Sequence, residues 1–219
     1  MLVMPREEGV RQALAEIGIQ LPAGALLRAH HGAMLEYDKK PGPTPDADWA
    51  YRYTRGMAQE LGVSEILLEQ AITGLTPNVT GPGTWVAVIE DSREALPLLR
   101  AAGVRLAIVS NADGTAAENL SRLGICQVGP GEGVEVDIVV DSTAVGVAKP
   151  DPKIFEFALS ATGVRPEEAV HVGDSVLADV GGARAAGIRP LHLDPYELCR
   201  FDDHEHIRSL HEVVTLISG

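Results

Sequence analysis

Residues 169–179 read AVHVGDSVLAD. A short run rich in Val and Ala meets a Gly-Asp pair, and helical spacing then runs over 175–186 until Gly187 stops it. This is the pattern of a buried strand, a tight turn and a helix. Asp174 stands at the strand's end and Asp179 on the helix that follows. The same alternation extends on both sides. Upstream, RLAIVS at 105–110 is a β-type run, with helix from about 115 to 123. VEVDIVVD at 134–141 reads as the next strand, with helix from 152 to about 162. Downstream, 188–193 reads as strand and 207–217 as a last helix. Short apolar strands alternating with helices predict an α/β fold on a doubly wound parallel sheet. In such a sheet the chemistry collects beyond the carboxyl ends of the strands.

The N-terminal third has a different pattern. Over 6–17, Val10, Ala13, Leu14 and Ile17 share one helical face, and Gly18 follows as a stop. A second helix is expected over 23–36. KKPGPTPDAD at 39–48 reads as a loop. A third helix is expected from near Asp46 or Asp48 to about Leu61, with Gly62 behind it. Ser64 would cap a fourth carrying Ile66, Leu67 and Ile72. TGLTPNVTGPGT at 73–84 is a linker by composition. The expected division is therefore a small α-helical domain over 1–83 and an α/β core over 84–219, which 219 residues can supply.

The formal net charge of −13 argues against nucleic acid and anionic membranes as partners. It leaves room for a small anionic metabolite, because one lysine and a bound cation reverse the field inside a pocket. Cys126 and Cys199 lack metal-type spacing and read as buried free thiols of a reducing compartment. The opening MLVMPREEGV is too short for a signal-peptide core, and no stretch approaches the ~18 apolar residues of a span. A cytoplasmic location is the expectation; oligomeric state is unreadable.

Three strand ends carry polar chemistry. RLAIVS ends on Ser110 with Asn111 next, the strand at 134–141 leads to Lys149, and AVHV leads to Asp174 and Asp179. A hydroxyl, an amide, an ammonium and two carboxylates suit a phosphoryl group with Mg²⁺. The hard ion takes carboxylate and phosphate oxygens together, and lysine neutralises phosphate charge.

SNAD at 110–113, KPDPKIF at 149–155 and GDSVLAD at 173–179 resemble, in order and context, the second, third and fourth motifs of the haloacid dehalogenase (HAD) superfamily. The resemblance covers roughly residues 92–193. It implies a HAD-like Rossmannoid core with a small helical cap, and phosphomonoester hydrolysis through an aspartyl-phosphate. Ser110 and Asn111 would bind the phosphoryl group, and Lys149 would stabilise it and the nucleophile. Asp174 would coordinate Mg²⁺ and Asp179 would support that metal site.

The first motif of that family, a strand ending in an Asp-x-Asp-Gly-Thr-like sequence, has no match here. Met-Leu-Val at 1–3 looks like its tail, so the nucleophile is expected about four residues before Met1. A missing central strand of about five residues removes several buried side chains, each worth about 1.5–3 kcal/mol. Asp46 and Asp48 have the motif's spacing but follow a Pro-rich loop and read as helix-start residues. Asp91 follows the apolar run at 85–89 and reads as a cap of the next helix with Ser92. Two other activities on this scaffold are C–halogen or C–P cleavage and, in a different class, non-catalytic phosphate binding by a pseudoenzyme.

The remaining candidates read as ordinary structure. DDHEH at 202–206 and His211 suggest a solvated loop more than a metal site. Of His30 and His31, one is expected at the surface and the other toward a cleft. His171 is expected to be packed. Trp49, Tyr51 and Tyr53 are assigned either to core or to substrate selection.

Overall fold

The computed structural model describes residues 1–39, 48–81 and 83–218. They form two compact units, one of residues 3–87 with 196–200 and one of residues 1–2, 88–195 and 201–219.

In the first unit, β1 (Val3–Pro5) pairs with β2 (Trp85–Val88) where the chain enters and leaves. Between them lie α1 (Glu7–Ala15), α2 (Ala25–Asp38), α3 (Trp49–Glu60), α4 (Leu68–Leu75) and α5 (Pro77–Thr80). Their apolar faces meet in a core of Val10, Leu14, Leu26, Tyr53, Met57 and Leu75. α2 and α3 approach closely at Gly56, where a Cβ would stand 2.9 Å from the Ala33 Cα. His30 and His31 are both buried, contrary to the expected split. The His30 Nδ1 lies 2.7 Å from the Tyr53 hydroxyl, and His31 packs edge-on against Tyr196. Tyr53 is core, whereas Tyr51 is exposed and donates its hydroxyl to Glu69.

Several N-terminal expectations need correction. The fourth helix begins at Leu68 rather than behind a Ser64 cap, and Ile66 is 94% exposed. Most of 73–80 is helical, not linker. Its polar side chains are satisfied within the helices: Thr73, Thr76 and Thr80 hydroxyls donate to the Glu69, Ile72 and Thr76 carbonyls. Pro77 occupies a first-turn position where its missing N–H costs nothing. Asp46 and most of the 39–48 loop lie outside the described residues, while Asp48 stands at the N-cap position of α3.

The second unit is the α/β core. α6 (Glu90–Ala101) precedes β3 (Ala107–Ser110), and Asp91 lies in the first turn of α6 rather than at its cap. Then follow α7 (Ala116–Arg122), β4 (Cys126–Val128), β5 (Val134–Val136), β6 (Ile138–Asp141), α8 (Ser142–Val145) and α9 (Lys153–Thr162). After them come β7 (Val170–Gly173), a wide π-type turn over Val176–Gly181, α10 (Gly182–Ala185), β8 (Arg189–Leu193), β9 (Glu205–Ile207) and α11 (Leu210–Ser218). The pairs β3–β6, β4–β5, β7–β8 and β8–β9 are all parallel, as a Rossmannoid core requires. Among the described residues, β3 pairs with β6 alone and β7 with β8 alone.

The stretch 134–141 is two strands, not one. Asp137 breaks it: its N–H donates to the Leu106 carbonyl at 2.7 Å, and its carboxylate accepts from Leu106 N–H and pairs with Arg105. The last helix starts at Leu210 because 205–207 is β9. Cys126 is buried and Cys199 half-buried. No helix among the described residues is long and apolar enough to cross a membrane.

Candidate active site

The ends of β3, β6 and β7 bring the sequence candidates to one place in the core unit. Ser110, half-buried, is the last residue of β3 and stands opposite Asp141 at the end of β6. Asn111 follows on the surface. Its amide makes a reciprocal pair with the Lys149 main chain: Nδ2 donates to the Lys149 carbonyl at 2.9 Å, and Lys149 N–H donates to Oδ1 at 2.8 Å. The Lys149 ammonium reaches back to donate to the Val109 carbonyl at 3.0 Å and to Asp179 Oδ1 at 2.6 Å.

Asp179 is 4% exposed and fully engaged. Oδ1 accepts from Lys149 and, at 2.8 Å, from His171 Nε2–H; Oδ2 accepts from Ser175 N–H at 3.1 Å. Burial pushes its carboxyl up, but the Lys149 charge and the His171 hydrogen bond outweigh this and hold it well below the usual carboxylate range. The opposite balance holds for His171, where burial outweighs the pull of Asp179 and lowers the imidazole's pKa. His171 is packed, as expected, edge-on against Phe155 at 4.8 Å. Its bond to Asp179 was not legible in the sequence.

The turn after β7 explains how Asp179 gets there. Asp179 N–H and Val180 N–H both donate to the Ser175 carbonyl, giving the wide first turn, and Ser175 Oγ accepts from Ala178 N–H. The turn brings the Asp179 carboxylate back against Gly173, where any Cβ would run into it. Gly173→Ala is therefore expected to displace Asp179 from Lys149 and lower stability by about 1–3 kcal/mol, as overpacking does. Urea unfolding of the variant checks this; an unchanged midpoint would show that the turn relaxes without cost.

Asp174, half-buried, follows Gly173, and its carbonyl lies 3.3 Å from His192 Nε2. Both carboxylates assigned to a metal by resemblance are thus near one strand end, but Asp179 spends its oxygens on Lys149, His171 and Ser175.

Sequence reasoning missed Asp141. It is buried and accepts from the N–H groups of Gly114 at 3.0 Å, Ala116 at 3.1 Å and Thr143 at 2.9 Å. It thereby ties the loop after β3 to the start of α8. The signal available was an Asp directly before Ser-Thr at the end of a strand, which is an N-cap pattern.

The family model described as haloacid dehalogenase-like hydrolase matches residues 84–187. Haloacid dehalogenase-like hydrolase domain-containing protein 3 of Mus musculus is 40% identical over 114 residues, 52% of this chain and 42% of that protein. A phosphoserine phosphatase of Thermus thermophilus is 42% identical over 95 residues, 43% of this chain and 36% of that protein. The chain spans about half or less of the length of these curated relatives. The crystal structure of a HAD phosphatase from Thermococcus onnurineus superposes with a TM-score of 0.55 at 23% identity, over 97% of this chain and 87% of that one, which is a likeness of fold.

Proposed function

The chain belongs to the haloacid dehalogenase-like superfamily, and from that premise we propose that its core serves hydrolysis of a small phosphomonoester with Mg²⁺. The observation that carries the reading is Lys149, anchored through its main chain by Asn111 and through its ammonium by Asp179. A lysine fixed at both ends places its charge where a phosphoryl group at the ends of β3 and β7 needs it. Such preorganisation costs no rearrangement during the reaction. Ser110 and the Asn111 region bind phosphoryl oxygens in this reading. Asp179 acts through Lys149, by orienting its ammonium.

Asp174 is the carboxylate that would hold Mg²⁺. A strand end offering one such oxygen ligand, with phosphate oxygens and water completing the set, fits an ion that takes one or two carboxylates beside its substrate. When bound, the ion neutralises charge on the phosphoryl oxygens. The helical unit is assigned as the cap that selects the metabolite.

The aspartyl nucleophile that the resemblance implies has no counterpart in the first-motif position of residues 1–219. An aspartate on a strand paired with β3 would fill that role. The same gap in the motif set favours a second reading, non-catalytic phosphate binding on this scaffold. Release of phosphate from p-nitrophenyl phosphate with Mg²⁺ separates the two. Residues 1–219 are compared with a form extended upstream along the natural reading frame. Turnover is expected only in the extended form, and Lys149→Ala should reduce it by at least about a hundredfold, the scale of losing one oriented electrostatic group. Equal turnover in both forms would mean that the nucleophile lies within residues 1–219. None in either would favour the binding protein.

A further inference from the structure

β8 and β9 pair with His192 opposite His206, so the two side chains share one face of the sheet. His204 lies one residue before β9. The three rings gather tightly: centroids are 5.0 Å apart for His192 and His204, 5.2 Å for His192 and His206, and 4.5 Å for His204 and His206. One nitrogen from each lies within 4.8 Å of the other two. His192 is 2% exposed, and the side chain of His204 is fully covered. The DDHEH segment is therefore not a solvated loop at His204, which corrects the sequence expectation.

Outer hydrogen bonds fix the tautomers of two of these rings. The Asp174 carbonyl can only accept, so His192 donates to it through Nε2–H, and its Nδ1 carries the lone pair. The Asp203 carboxylate likewise accepts from His204 Nδ1–H at 2.8 Å, so in the neutral ring the lone pair lies on Nε2. His192 Nδ1 and His204 Nε2 approach to 3.0 Å. Two lone pairs at that distance repel, so either a proton lies between these nitrogens or a cation lies beside them. A histidine that binds a metal through one nitrogen commonly donates the other N–H to a carboxylate or a backbone carbonyl. His204 and His192 do one each.

We propose that His192, His204 and His206 form a site for a borderline divalent cation of the zinc type. Three imidazoles select such an ion over Mg²⁺, which prefers oxygen. Tetrahedral Zn²⁺ with bonds of about 2.0–2.1 Å needs ligand nitrogens roughly 3.3 Å apart. His192 and His204 are already near this spacing. The exposed His206 ring is the one with room to close the remainder. Arg184, Pro190, Asp202, Asp203 and Glu205 line an open cavity of about 330 Å³ beside His204. Because His192 also holds the Asp174 carbonyl, an ion here would brace the turn that carries Asp174.

The test is a calorimetric Zn²⁺ titration of the full chain after chelator treatment, in excess Mg²⁺ to occupy carboxylate sites. One Zn²⁺ per chain is expected. His206→Ala alters an exposed ring and should leave the circular dichroism spectrum unchanged while weakening Zn²⁺ at least about tenfold. Ring-nitrogen NMR of the unaltered chain provides a second readout: Zn²⁺ should shift the His192 Nδ1 and His204 Nε2 signals together. Absence of stoichiometric uptake by the unaltered chain overturns the site, as does full affinity in both His204→Ala and His206→Ala. Ring spectra that show a proton shared between Nδ1 and Nε2 with Zn²⁺ present would overturn it too, in favour of a histidine–histidine hydrogen bond.

Discussion

Replacing Lys149 with Ala is expected to lower the unfolding free energy by about 3–5 kcal/mol, the cost of leaving a buried charge without its partner. The Lys149 and Asp179 side chains are 10% and 6% exposed, so water cannot take over the lost interaction. His171, already bonded to Asp179, is placed to become protonated and compensate in part, which sets the lower end of the range. Removing both charges together, as in Lys149→Met with Asp179→Leu, should cost less than either single change, because no orphaned ion remains. The pH dependence follows from Asp179. Its folded-state pKa lies below the unfolded value of about 3.9, so its contribution is present above about pH 4 and is lost as pH falls toward the folded value. The deficit of Lys149→Ala relative to the parent should therefore be largest near pH 7 and shrink in acid. Urea midpoints from pH 7 down to pH 3 measure this. A deficit that stays constant across the range would show that the lost stability comes from packing of the lysine stem.

Asp141→Ala should be the next most damaging change, at about 3 kcal/mol. It removes one buried carboxylate that serves three backbone donors, and hydrogen bonds to a charged group contribute about 1.5–3 kcal/mol each without adding fully. Its second effect is local. The loop carrying Asn111 is fastened through Gly114 and Ala116, so their amides should exchange with solvent at least about tenfold faster, a loss of about 1.4 kcal/mol or more in local opening. Asp141→Asn restores one acceptor but points an NH₂ at backbone donors, so it should recover only part of the loss. Hydrogen exchange read at Gly114, Ala116 and Thr143 distinguishes a local loosening from global destabilisation. Unchanged protection at all three amides would mean that the loop is held by Ser142 and Thr143 side chains through Ala112 instead.

The strand–turn–helix alternation of the core was legible because each element is short, apolar and punctuated by Gly or Pro, so local pattern and tertiary environment agree. The strand ends bearing Ser110 and Asp174, and the loop that leads to Lys149, follow from that alternation alone. The break at Asp137 was not legible. VEVDIVVD alternates smoothly, and only the meeting of Asp137 with Arg105 and Leu106, some thirty residues earlier, divides it. β9 was hidden for a related reason: three residues, two of them charged or imidazole, do not read as a strand until β8 pairs with them. The bonds that unite Lys149, Asp179 and His171 span 8 to 30 residues and depend on a π-type turn that no propensity signals. The helical stretch at 73–80 was misread because Thr, Pro, Asn and Gly suggest a linker by composition, whereas each polar side chain finds its acceptor one turn back.

The pairing of the core strands has a consequence for how this chain behaves among other chains. β3 and β7 are each partnered on one side among the described residues, and a strand edge of that kind can act as a template. A further strand laid there gains main-chain hydrogen bonds whatever its side chains, provided they are apolar enough for a buried parallel sheet. Recognition of this kind is permissive: it admits a strand of the same polypeptide and, at high concentration, a strand of a neighbouring copy. Of two strands that compete for such an edge, a tethered one has the advantage of its higher effective concentration.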